Sequence, residues 1–311
     1  EGAALLPRLA RLLRAGFLCY FTDQQEGERA MTAVSLLNGE NGASMADVQG
    51  SDCTVVVNSE LLDEGPMMAL AVRQAWRKGA KLFHVGEEPG PQWAKAVGVE
   101  VQTVARLADV PLGEFQRPVV VCGTKQNDSQ AIEAAAKAGV KIAYVLSGPN
   151  ACGAALLARD SESTTLAEAV ATGKVKGILA FEADIPAELT EGVAFIAAAD
   201  WLATPLVVKA DIVLPTTAWV EMDGTFVNNE GRGQRFSRVM QPGLPIKGLD
   251  PDIHPLRVHR STPPGGDLLP AWQLIARMIE RFGDGRITEP LEGRWVILRN
   301  LSPEGEGMKI L

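Results

Sequence analysis

Cysteine and histidine are scarce in this chain. Four cysteines occur in 311 residues, at Cys19, Cys53, Cys122 and Cys152. Their gaps of 34, 69 and 30 residues contain no CxxC or CxxxC pair. No iron–sulfur cluster or zinc site therefore arises from a local motif. Sparse, unpaired cysteines fit a reducing compartment. The three histidines, His84, His254 and His259, lack metal-pair spacing. Aromatic residues make up 5%, with two tyrosines, so base-stacking platforms are not expected. Positive charge is also short: 30 Lys and Arg against 38 Asp and Glu give a net charge of −8. That balance argues against a nucleic-acid partner, which needs a clustered basic surface. The longest uncharged stretch, Ile142 to Ala158, is shorter than a membrane span and is broken by Ser147-Gly148-Pro149-Asn150. Direct membrane insertion is not expected. No signal peptide is visible and the first residue is Glu, which suggests an excised part of a longer chain. No GxGxxG fingerprint follows a strand, and there is no Walker loop.

What is present is an ordinary globular composition, 46% apolar and 22% charged. The length suggests two lobes. Short apolar runs alternate with amphipathic stretches along the chain. Strands are predicted at 17–21, 54–57, 81–85, 99–104, 119–122, 141–146, 175–181, 193–198 and 212–214. Helices are predicted at 63–78, 92–96, 129–138, 164–171 and 270–282. Gly79 follows one helix as a C-terminal cap should, and Thr164 or Thr165 suits the N-cap of another. Continuous apolar strands alternating with helices predict an α/β fold with mostly parallel sheets covered on both faces. The pattern restarts near Pro111 to Pro118. This places a first Rossmann-like lobe at 13–112 and a second at 113–240. Residues 1–12 form an N-terminal helix packed with the second lobe, and 241–311 an irregular C-terminal arm with one helix. The arm holds six prolines between Gln241 and Gly266. It and the helix at 270–282 are the candidate docking faces.

Loops at the carboxyl ends of parallel strands are where such folds bind ligands. Here they read Asn58-Ser59-Glu60, Gly86-Glu87-Glu88, Gly123-Thr124-Lys125 and Glu182-Ala183-Asp184. Acidic groups are poorly suited to phosphate. The stretch Ser147 to Gly153 is rich in small residues and permits close backbone approach, or is simply a tight connection. The densest polar cluster runs from Glu221 to Arg235. Its carboxylates, Glu221, Asp223 and Glu230, have the chemistry of an acid or base, yet no His, Cys or Lys stands adjacent. A hydrogen-bonded structural loop is the simpler reading. His84 reads as a core histidine, and Cys122 and Cys152 as small buried apolar residues.

One segment carries a resemblance. Ala210-Asp211-Ile212-Val213-Leu214-Pro215, then Glu221, Asp223-Gly224-Thr225 and Asn229-Glu230-Gly231-Arg232-Gly233-Gln234, resembles the signature of the molybdopterin oxidoreductase family. Ser51-Asp52 with Glu64-Gly65-Pro66, Ser147 to Leu157 and Lys174 to Asp184 resemble further segments of that family in order, over roughly residues 45–240. The form from Val227 to Phe236 is most similar to one branch of it, the large iron–sulfur (G) subunits of bacterial NADH:quinone oxidoreductase, complex I. The resemblance implies two Rossmann-like lobes which, in active members, clamp two molybdopterin guanine dinucleotides and a molybdenum or tungsten ion. Residues implied for such a cofactor are Asn58, Ser59, Gly148, Asn150, Glu182, Asp223, Thr225, Asn229, Glu230 and Arg232. Active members carry Gly-x-Asn-Pro after the two dinucleotide-binding strands. The equivalents here are Val57-Asn58-Ser59-Glu60 and Ala180-Phe181-Glu182-Ala183-Asp184, which lack the glycine. The family's N-terminal cysteine clusters are absent, and no Cys or Ser is assigned as metal ligand.

The resemblance therefore implies a non-catalytic scaffold lobe with no cofactor, no metal and no catalytic residue of its own. It would belong to a multi-subunit electron-transfer complex. FMN and iron–sulfur clusters are expected on partner segments or subunits, and the location is cytoplasmic, peripheral on the inner membrane. The alternative is an active bis-pterin subunit of formate dehydrogenase type.

Overall fold

The computed structural model describes residues 2–97, 100–239 and 268–283. The described chain falls into two compact units. The first contains residues 23–160 and 226–234; the second contains 2–22, 161–225 and the described residues from 235 onward.

The first unit is built on five parallel strands: β1 (Cys53–Val57), β2 (Lys81–Val85), β3 (Val101–Val104), β4 (Pro118–Gly123) and β5 (Lys141–Val145). Their order is β3-β2-β1-β4-β5. The β-branched run of β1 is buried on both faces, with Val55 set between Phe83 and Val120. One face is covered by the helix Pro66–Arg77, which buries Ala69, Ala71, Val72 and Ala75. Val48, Leu61, Trp93, Val119, Val121 and Val145 complete that core. The helix Gln24–Leu36 packs on Ser129–Ala136 and Ala151–Arg159. It buries Gly27, Ala30, Ala33 and Val34, residues small enough to hide its amphipathic pattern from a sequence reading.

This sheet corrects the lobe boundary expected at 111–118. The strand that begins at Pro118 does not open a new lobe. It pairs with β1 in the middle of the first sheet, Val55 facing Val120. The apparent restart is the crossover to the other side of β1, where the strand order reverses. The first unit therefore runs to Asp160. The strand expected at 17–21 is only an extended stretch with one bridge, Cys19 to Thr164. The helix expected at 63–78 is two, Leu61–Glu64 and Pro66–Arg77, because Pro66 opens the second. Met67 and Leu70 of the latter are exposed.

The second unit holds three parallel strands, β6 (Gly177–Phe181), β7 (Phe195–Asp200) and β8 (Ile212–Pro215), in that order. Leu166, Ala180, Ile185, Ile196, Ala198 and Leu206 form its core. The helix Leu166–Ala171 starts with a capping box, Thr165 with Glu168. The Asp211 carboxylate accepts the Ile196 N–H at 2.8 Å and ties β8 to β7. The N-terminal helix Gly2–Leu13 belongs to this unit. Its Leu5 and Leu9 pack on Ile275, Ala276 and Ile279 of the helix Ala271–Phe282. The apolar face of Ala271–Phe282, expected to dock a partner, is therefore occupied within the chain. The arm from Gln241 to Gly266, with His254 and His259, lies outside the described residues.

A two-stranded ribbon, β9 (Gly224–Val227) and β10 (Gly233–Phe236), carries the signature loop. Its base, through Thr225 and from Arg235, belongs to the second unit, and the tip 226–234 to the first. A Cβ on Gly224 would fall on the ring of Phe236. Gly224→Ala is expected to lower the thermal midpoint by several degrees through overpacking, about 1–3 kcal/mol. Differential scanning calorimetry would read it, and Gly224→Ala combined with Phe236→Leu should recover most of the loss.

Candidate functional site

In a doubly wound sheet, ligands bind beyond the carboxyl ends of the strands where the order reverses. In the first unit that point lies between β1 and β4. Asn58 follows β1 in the left-handed region, φ 39°, and donates its N–H to Val85 O at 2.9 Å. In the second unit Glu182 follows β6 with φ 49° and donates to Ala199 O at 2.7 Å. The two strand ends thus share one turn. Both keep the backbone conformation that glycine adopts freely, although neither residue is glycine. Each costs roughly 1–2 kcal/mol of local strain.

The crevice beyond β1 and β4 is filled by side chains of the unit itself. Glu64 Oε2 accepts from Ser59 Oγ at 3.1 Å, and Glu64 Oε1 accepts the Glu60 N–H at 3.1 Å. The latter is the amide that opens the helix Leu61–Glu64, the kind of donor a phosphate would use. Gly123, at the end of β4, closes the other side: a Cβ there would lie 2.7 Å from Glu64 Oε2 and from Ser59 Oγ. The nearby Cys122 thiol is pushed up to about 12, first by burial and then by the Glu64 charge. Behind the carboxylate, buried Asn127 braces the two strand ends. Its Nδ2 reaches Val57 O at 3.0 Å, Asn58 O at 3.2 Å and Gly123 O at 2.6 Å.

The phosphates of a pterin guanine dinucleotide placed at this strand end would meet the Glu64 carboxylate and an amide already donated, and like charges at that range repel.

The loop after β5 meets the signature loop inside the first unit. Asn150 Oδ1 accepts the Val227 N–H at 2.9 Å, and the Gly231 backbone hydrogen-bonds to the Cys152 sulfur. A Cβ on Gly153 would collide with Asn150 Oδ1 at 2.6 Å. Gly148 takes φ 89°, the turn that begins this loop. The signature loop is braced chiefly by Asn228. Its Oδ1 accepts from Arg232 N at 2.8 Å and Glu230 N at 3.2 Å, and its Nδ2 donates to Glu230 Oε1 at 2.9 Å. Arg232 Nε donates to the same Glu230 oxygen at 3.1 Å. Asn229 sits in this turn.

In the second unit, Thr216 Oγ1 donates to Glu182 Oε1 at 2.9 Å. Burial holds the Glu182 carboxyl above the usual carboxylate range; the Thr216 bond opposes the shift and the Asp200 charge adds to it. A raised carboxyl contributes stability that is present below its unfolded pKa and lost as pH rises through the folded value. Glu182→Gln should therefore stabilise this unit at neutral pH. The gain should vanish below the ordinary carboxylate range, as thermal melts at pH 3 and pH 7 would show. Asp223 is held low: burial would raise it, but the Arg238 backbone and guanidinium bonds outweigh that, at 3.1, 3.2 and 2.8 Å. Thr225 Oγ1 is buried with no partner of its own.

The sequence-predicted residues therefore fall into separate settings. Asn58 and Ser59 line the filled crevice. Asn150 meets the signature loop at Val227, Glu230 and Arg232 pair within that loop, and Gly148 stands in the turn before Asn150. Glu182 pairs with Thr216, and Asp223 with Arg238. Glu64, Asn127, Asn228, Thr216 and Arg238, which hold these settings together, were not singled out for those roles. Glu64 carried a signal, standing before Gly65-Pro66 in a segment of family resemblance, and so did Asn228, inside the polar cluster and the Val227 to Phe236 form.

The other thiols are also held above the ordinary thiol range. Burial, the largest cause at each, pushes Cys53 up to about 12 and Cys19 and Cys152 to about 11. Thiols held that high stay protonated at neutral pH. Among the described residues no group of three His, Cys, Asp or Glu is placed to hold a metal ion. His84 is buried, lies edge-on to Trp93 at 5.4 Å, and is held low by burial.

The parallel sheet, the strand-end turns and the reversal between β1 and β4 define a doubly wound α/β protein. The chain belongs to the molybdopterin oxidoreductase family, which it matches over residues 5–246. It is similar to the G subunit of NADH-quinone oxidoreductase from Pseudomonas putida, 36% identical over 53% of this chain and 20% of that protein. It is similar also to the G subunit from Shewanella oneidensis, 30% identical over 50% of this chain and 19% of that protein. The G subunit from Escherichia coli is 27% identical over 53% of this chain and 20% of that protein. The matched part thus spans about a fifth of the length of these curated relatives.

Proposed function

We propose that this chain is a non-catalytic, scaffold-forming lobe of a polypeptide like the large G subunit, in an NADH-oxidising electron-transfer complex. The observation that carries the reading is the Glu64 carboxylate, set in the β1–β4 crevice with the Glu60 amide already bound to it. A lobe that fills its own phosphate site has no room for the dinucleotide tail of a pterin. In this reading NADH, FMN and the iron–sulfur clusters sit on partner segments or subunits. The chain is cytoplasmic and reaches the inner membrane through those partners. Among the described residues no helix is long and apolar enough to cross a membrane.

The test is the molybdenum, tungsten and pterin content of the assembled complex, purified from its native host with its NADH-oxidising activity intact. The expected result is neither metal nor pterin on this chain. Stoichiometric pterin assigned to this chain would overturn the proposal in favour of an active bis-pterin subunit of formate dehydrogenase type.

A further inference from the structure

The second unit leaves one strand edge unpaired. β6 stands at the end of the order β6-β7-β8 and bonds only to β7. Lys176 O accepts from β7 (Phe195 N, 3.2 Å), and the Glu182 N–H donates to it (Ala199 O, 2.7 Å). Hydrogen bonding alternates along a strand, so the even positions 176–182 face β7. Gly177, Leu179 and Phe181 therefore turn their backbone N–H and C=O groups outward. The outward side opens on a cavity of about 420 Å³. Its far wall is a second extended segment, residues 15–22, whose Leu18, Phe21 and Thr22 carbonyls are taken by Thr164, Leu166 and Ala167. Leu6, Leu9 and Leu13 close one side.

Natural sheets blunt exposed edges with charge, proline or a covering segment. The opposite edge of this sheet follows that rule: β8 ends in Pro215, and the next residue, Thr216, bridges to Leu269. β6, with the sequence Gly-Ile-Leu-Ala-Phe, carries neither charge nor proline. Leu179 and, across the cavity, Phe17 are 37% and 38% exposed. The charged residues lining the cavity are Lys174 and Lys176, with no acidic residue, in a chain of net charge −8.

We propose that this groove is a strand-addition site. A partner polypeptide pairs its backbone with the Gly177, Leu179 and Phe181 groups, buries alternate apolar side chains against residues 15–22, and sets acidic residues beside Lys174 and Lys176. An acyl chain would fill the cavity but leave three pairs of backbone groups unmet, which a strand satisfies. The chain's own apolar run Trp295 to Leu298 is bracketed by Arg294 and Arg299, the wrong sign for this rim.

The experiment uses the full chain and a fluorescently labelled peptide, Glu-Asp-Val-Thr-Val-Thr-Val, with a control in which both acids are lysine. Binding is read by anisotropy, and residue-resolved amide hydrogen exchange locates it. The expected result is binding that protects the amides of Gly177, Leu179 and Phe181 while those of Ile178 and Ala180 stay as protected as before. The lysine control and Lys174→Glu with Lys176→Glu should each weaken binding by about tenfold or more. Leu179→Pro removes an outward N–H without touching the β7 ladder and should abolish it. No binding, protection that does not alternate, or indifference to the charge reversal would overturn the proposal. So would displacement of the peptide by dodecanoate with no change in those amides. The exchange pattern needs no variant, so a misfolded Leu179→Pro chain leaves the test standing. None of these readouts depends on whether a pterin is bound.

Discussion

Truncating Asn127 to alanine is expected to lower the unfolding free energy of the first unit by about 2–4 kcal/mol. The side chain is 4% exposed, and its Nδ2 faces the carbonyls of Val57, Asn58 and Gly123. These carbonyls stand at the ends of the two strands that flank the crevice. Alanine would take the amide donor away from them, and a buried acceptor left unmet carries its desolvation cost. Asn127→Asp should be at least as harmful, because it sets a carboxylate against carbonyl oxygens. Urea titration followed by far-UV circular dichroism measures the loss. A change below about 0.5 kcal/mol would show that water replaces the amide without cost.

Trp93→Ala should cost more, about 3–5 kcal/mol. Trp93 is 1% exposed and is the largest of the fully buried side chains among the described residues. It plugs the core beneath the helix Pro91–Val97, between His84 and the helices on that face. Trp93→Phe is the informative companion. The indole Nε1 and His84 Nδ1 are both buried without a partner, so phenylalanine keeps most of the ring and discards an unmet donor. It should recover more than half of the alanine loss in the same titration. A phenylalanine variant as damaged as alanine would mean that the indole N–H has a bound water that matters.

The inner strands of the first unit were legible because they are buried on both faces, and they show as continuous apolar runs such as Cys53–Val57 and Val119–Cys122. The signature loop was legible because its residue order is unusual. What escaped was long-range. The pairing of β4 with β1 joins residues far apart in sequence, and the crossover that permits it reads locally as a linker. Glu64 looks like any helix-end acid until the fold brings Ser59 and Gly123 to it. The amphipathic face of the helix Ala271–Phe282 was read as a docking face for a partner, but Leu5 and Leu9 from the opposite end of the described chain cover it. The glycine-less turns at Asn58 and Glu182 were read as a lost motif; the backbone conformation remains, and only the residue has changed.

The threading of the chain has a consequence for how the molecule is made. Residues 23–160 form an uninterrupted stretch of the first unit, whereas the second unit needs residues 2–22 together with 161–225. On the ribosome the first unit can collapse while the N-terminal helix still waits for a partner that has not been synthesised. The apolar side of that helix, Leu5 and Leu9, stays uncovered until Ile275 and Ile279 emerge. Slow translation between residues 160 and 279 would prolong that wait, and the nascent chain would need a chaperone most while this helix stood alone.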